Sequence, residues 1–87
     1  MELNYNVKIQ QILNKYMGVL DAGNHTDKLR VISLNETSKQ ILTAIQDGLE
    51  EEDIVKKILD TYNVDEETAK REVAAFISQL KESGIVK

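Results

Sequence analysis

Between Arg30 and Leu42 the spacing of apolar side chains changes from two residues to nearly four. In RVISL, Leu29 and Val31 fall on one side and Arg30, Ile32 and Leu34 on the other, as in a strand. Past NETSKQ, Ile41, Leu42 and Ile45 follow the i, i+1, i+4 pattern of a helix stripe. A strand that passes straight into a helix at Leu34-Asn35 leaves few architectures open. Asn35 is a preferred N-cap, Glu36 suits the positive end of the helix dipole, and Leu34 is placed to staple the first turn.

The flanking sequence extends the pattern. Val7, Ile9 and Gln11 lie on one side of a first strand that Ile12 and Leu13 close, and Asn14-Lys15 is predicted as a tight turn. Tyr16 to Leu20 resumes an extended pattern, with Met17 and Val19 on one face. DAGNHTD, residues 21–27, is dense in turn formers and reads as an exposed loop before the third strand, Leu29 to Leu34. After Asp47-Gly48 a second helix starts among Glu50 to Asp53 and carries Ile54, Val55, Ile58, Leu59 and Tyr62. Asn63-Val64 makes a turn, and Asp65 caps a third helix whose predicted core stripe is Ala69, Val73, Phe76 and Leu80. Gly84 suits the position after that helix, and Ile85-Val86 is expected to fold back onto the body. The fold class is therefore α+β and winged-helix-like. An N-terminal three-stranded antiparallel sheet, about residues 7–34, precedes a three-helix bundle, about 36–83, in one domain spanning 1–87.

Composition removes several functions. The 87 residues contain no cysteine, so disulfides, thiolate metal sites and iron–sulfur clusters are ruled out. His25 is the one histidine and reads as a solvent-exposed loop residue. No phosphate-binding glycine motif is present, and the acids Glu50 to Asp53 are expected at a helix start on dipole grounds. No catalytic constellation, metal site or cofactor is expected. No apolar run approaches the roughly 18 residues of a membrane helix, and MELNYNVKIQQ lacks the pattern of a secretory signal. A cytoplasmic protein with no membrane partner is the expectation.

Charge is unevenly distributed. Residues 1–49 balance five acids with five bases, whereas residues 50–87 carry ten acids and six bases, the whole net −4. The paired helices resemble a helix-turn-helix, which keeps a winged-helix nucleic-acid-binding protein as the alternative function. In that role the third helix would set Asp65, Glu66 and Glu67 against phosphates, an unfavourable arrangement that argues for no nucleic acid. An adaptor that dimerises through its strand edges is a further alternative.

Beside the core stripe of the third helix runs the line Lys70, Ala74, Ile77 and Lys81, with Arg71 close by. Ala74 and Ile77 either widen the core or form a shallow apolar groove with a basic rim beside the third strand. If that strand is a sheet edge, its free backbone groups are open to an added strand, and Lys28 and Arg30 either guard the edge or serve it.

The ordered set LNETSKQILTAI, QDGLEEEDIVKKIL, TYNVDEETAKREV and FISQLKESGIV resembles the PqqD family of peptide-recognition domains, over roughly Arg30 to Val86. Ser38 departs mildly from the glycine or alanine of many members. The resemblance implies a non-catalytic, chaperone-like module of ribosomal peptide biosynthesis. It would bind the leader region of a precursor peptide and present it to a modifying enzyme, often a radical S-adenosylmethionine enzyme. It implies that the leader adds to the third strand, here Leu29, Arg30, Val31, Ile32 and Ser33, and settles against the third helix. On that helix the expected contacts are Lys70, Arg71, Val73, Ala74, Ile77 and Lys81.

Overall fold

A computed structural model of the chain describes residues 1–21 and 29–87. The expected loop histidine His25 and the base Lys28 lie outside the described residues. Three strands, β1 (Asn6–Ile12), β2 (Lys15–Asp21) and β3 (Arg30–Leu34), form an antiparallel sheet in the order β1-β2-β3. Three helices follow, α1 (Glu36–Gln46), α2 (Glu51–Thr61) and α3 (Glu66–Glu82). The α+β expectation holds in element type and order.

Register explains the sheet. Val7 pairs with Leu20 and Ile9 with Gly18, while Gly18 and Tyr16 pair on their other side with Ile32 and Leu34. These residues share the face turned to the helices, because side chains alternate along a strand. A Cβ built on Gly18 would lie 3.1 Å from Ile32 Cγ1. The missing side chain is what lets Ile32 lie across β2.

The hairpin closes one residue earlier than the sequence suggested. Ile12 pairs with Lys15, so the loop is Leu13-Asn14, and Leu13 takes φ 58 with its side chain 89% exposed. Leucine is a poor residue for that left-handed conformation. A turn at Asn14-Lys15 would slide β1 by two residues and break the Val7–Leu20 and Ile9–Gly18 pairs. Core register outweighs turn chemistry here.

The helix ends follow their caps. Asn35 Oδ1 accepts from the Ser38 amide at 2.7 Å, and Asp65 Oδ1 from the Thr68 amide at 2.7 Å. Glu51, Glu52 and Asp53 occupy the first turn of α2, where the dipole favours them. Gly48 and Gly84 take positive φ just past α1 and α3, the left-handed turn that ends each helix. Ile85 and Val86 do fold back. Val86 bridges to Leu3, the Asn4 amide donates to Ile85 O at 2.8 Å, and both apolar side chains are buried.

The core joins Leu20 and Leu34 of the sheet to Ile41, Leu42 and Ile45 of α1, and to Ile54 and Ile58 of α2. From α3 it takes Ala69, Val73, Ile77 and Leu80. Phe76, expected in that stripe, is only half-buried at its border, and Ile77 takes the interior place. No helix among the described residues is long and apolar enough to cross a membrane.

Candidate functional site

β3 is the edge of the sheet that faces away from β1, and among the described residues it pairs only with β2. An unpaired edge strand presents a row of N–H and C=O groups to whatever approaches it. Leu29 and Val31 are more than half exposed on the outer face, whereas Leu34 is buried on the inner one. β3 thus offers backbone at its rim and apolar side chains on both faces.

α3 is tied to β3 by Arg30 at one end and faces the β3–α1 joint across a gap at the other, and its side chains sort by angle at about 100° per residue. Ala69, Val73, Ile77 and Leu80 form the inner face. One flank carries Glu72, Ala75, Phe76 and Gln79. They line a depression of about 350 Å³ together with Asn35, Thr37, Ser38 and Ile41, the residues that continue β3 into α1. The opposite flank carries Lys70 and Ala74, which line a separate groove of about 420 Å³ with Val55, Leu59 and the N-terminal acids of α2.

Arg30 closes the other end of the gap. Its Nη1 donates to the carbonyl of Ser83, the C-cap of α3, at 2.9 Å and to the Tyr5 hydroxyl at 3.2 Å. The guanidinium also lies 5.5 Å from the centroid of the Tyr5 ring. β3 and α3 therefore touch at Arg30–Ser83, and the Glu72 end of α3 faces Asn35 across the depression.

The strand residues expected at the site, Leu29 to Ser33, all lie on this edge. None of the expected helix residues lines the depression beside the β3–α1 joint. Val73 is fully buried and Ile77 is 4% exposed, so both belong to the core. Lys70 turns to α2 and pairs with Glu66 at 3.3 Å, and Ala74 lines the same α2 groove. Lys81 continues their line along the helix. Arg71 is exposed with its charge near Asp65, whose carboxyl is held below its usual value by the Thr68 hydrogen bonds, with Arg71 adding to the effect. Glu72, Ala75, Phe76 and Gln79, which line the depression with the α1 residues opposite them, were not among the residues expected from sequence. Their i, i+3, i+4, i+7 spacing was visible, but assigning Phe76 to the core concealed it.

Beside the gap, the Tyr62 hydroxyl is buried near Glu36 and Thr37, with Thr37 close by but no well-formed hydrogen bond to it. Burial raises its pKa, and the charge of Glu36 adds to the rise. Among the described residues no group of three His, Asp or Glu side chains is placed to hold a metal ion.

Solved structures share this fold. One is described as "TbiB1 in Complex with the TbiA(beta) Leader Peptide". It superposes with a TM-score of 0.76 at 21% identity, covering 100% of this chain and 95% of that one. Another, "Lasso peptide synthetase B1 complexed with the leader peptide", gives 0.74 at 23% identity, covering 99% and 95%. At these identities the likeness is one of fold. No curated protein matches the chain. The model of the family described as coenzyme PQQ synthesis protein D (PqqD) matches residues 24–86, most of the sheet-to-helix body, and the chain belongs to that family.

Proposed function

We propose that this protein binds the leader region of a ribosomally made precursor peptide by strand addition and presents it to a modifying enzyme. The observation that carries the reading is the β3 edge, which among the described residues pairs only with β2 and runs into the α1 start that lines a depression with Glu72, Ala75, Phe76 and Gln79 of α3. Main-chain pairing with Leu29 to Ser33 supplies much of the affinity, and side chains in the α3 depression supply selectivity. Family membership and two neighbours of the same fold, both described with a leader peptide, support the reading.

The protein acts without chemistry of its own, in the cytoplasm, and the modifying enzyme does the reaction. A radical S-adenosylmethionine enzyme as that partner rests on the sequence resemblance alone. Nucleic acid is disfavoured as a ligand because Asp65, Glu66 and Glu67 are exposed at the start of α3. The test is a titration of isotope-labelled protein with the leader of a precursor encoded beside it. Amide shifts are expected in residues 29–34 and 72–79, and shifts confined to the α2–α3 groove would overturn the site.

A further inference from the structure

The two ends of the β3–α3 gap carry opposite charges with no ion pair among the described residues, and each is positioned by the fold. At the Asn35 end, Glu72 lines the depression and is exposed. It has no ion pair or hydrogen bond among the described residues. Arg71, its neighbour in sequence, is turned about 100° away and acts on Asp65.

At the Ser83 end, both acceptors of Arg30 are neutral, a carbonyl and a phenol, and among the described residues no carboxylate pairs with it. Glu82, next to Ser83 in sequence, forms no ion pair with Arg30. Arginine has five N–H donors. The two contacts use Nη1, which leaves Nε and Nη2 to meet a carboxylate with fork geometry. Because Nη1 is tied down, less side-chain freedom is lost when that carboxylate binds.

We infer that the gap reads the charge order of its peptide: a basic residue beside Glu72, an apolar stretch over Ala75 and Phe76, then an acidic residue beside Arg30. The inference rests on the strand-addition reading above and adds direction to it. The α3 span from Glu72 to Ser83 is about 16 Å at 1.5 Å per residue, which about five residues of extended chain cover at 3.3 Å each. The sheet is antiparallel throughout, and antiparallel addition is the slightly stronger pairing. A strand added antiparallel to β3 enters at the Leu34–Asn35 end and leaves at Arg30. The base must therefore precede the acid in the peptide sequence. This corrects the simpler picture of a basic-rimmed groove for an acidic leader, since Lys70 and Lys81 lie on the other flank.

The probe is a displayed library of random twelve-residue peptides, selected on the full chain at low salt. Enriched peptides are expected to carry Lys or Arg followed about five residues later by Asp or Glu. The best of them should bind about five- to tenfold more tightly than a copy with its two charges exchanged, from two partly exposed pairs. That ratio should shrink as salt rises. Glu72→Lys, an exposed change that leaves the core intact, should shift the enriched first position from bases to acids. Enriched peptides with no charge order, or with acid before base, would overturn the inference while leaving strand addition standing. Failure to enrich any peptide would sink strand addition itself.

Discussion

Arg30, the first residue of β3, donates from Nη1 to the carbonyl of Ser83, the C-cap of α3, at 2.9 Å. One side chain thus sets how far the sheet edge stands from the helix at one end of the gap. It also places positive charge at the negative end of the α3 dipole. Arg30→Ala should lower stability by about 1 kcal/mol, since a hydrogen bond from a charged donor is worth about that when partly exposed. It should also raise hydrogen exchange at Ser83 and Gly84 above that at Ala69. A urea transition unchanged within error would remove the tie as a structural element.

Gly18 is the second determinant of the edge. A Cβ there would stand 3.1 Å from Ile32 Cγ1 and 3.5 Å from Leu34 Cδ1. Gly18→Ala should cost about 1–2 kcal/mol through overpacking and displace the Ile32 and Leu34 methyl resonances. Gly18→Val should cost more. If Ala is accepted with the methyl resonances unmoved, Ile32 is not held by that close approach.

Much of this arrangement was legible in the sequence. Asn35 and Asp65 announced their helices, and the Leu34-Asn35 joint is a strand end and a cap as its residue types demand. The flank of α3 that faces the β3–α1 joint was not legible. Helical periodicity gives the angle between Ala74 and Ala75 but not which neighbour stands on either side. The bases Lys70 and Lys81 drew attention to the flank that packs toward α2. The hairpin shift has a similar origin, since Leu13 accepts an unfavourable φ for pairings made up to seven residues away in sequence.

Tyr62 offers a pH test. Its hydroxyl is buried beside Thr37 with no well-formed hydrogen bond, and its pKa is raised above 10.0 by burial and then by Glu36, with Thr37 opposing the rise. A raised folded-state pKa means a contribution fully present below pH 10 and lost as pH rises through the folded value. Tyr62→Phe should be neutral or up to about 1 kcal/mol more stable at pH 7, because an unsatisfied polar group is removed. Its stability should also fall less than the wild type's above pH 10. Matching alkaline profiles would show that Tyr62 ionises freely in the folded state.

The caps separate by charge. Asn35→Ala should cost about 1 kcal/mol and loosen the end of β3 that leads into α1. Asp65→Ala tests acid behaviour. Its carboxyl is held below 3.8 by the Thr68 hydrogen bonds, so its stabilisation is present above that value and lost as pH falls through the folded one. The variant should therefore show a shallower loss of stability between pH 5 and pH 2 than the wild type. An identical acid limb would mean the cap does not distinguish folded from unfolded Asp65.

The adjacent alanines of α3 decide where the peptide sits. Ala75 lines the depression beside the β3–α1 joint, whereas Ala74 lines the groove against α2. Both are exposed, so a larger side chain at either position is expected to leave the core intact. Ala75→Phe fills the space an added strand needs for its side chains and should weaken leader binding by at least tenfold, about 1.4 kcal/mol. Ala74→Phe should leave affinity within about twofold. Titration calorimetry with one peptide on both variants, beside their urea transitions, separates binding from folding. The opposite ranking would move the site to the α2 flank and bring Lys70 back into it. Equal, undiminished affinity in both would detach peptide binding from α3 altogether and leave the β3 edge as the whole of the site.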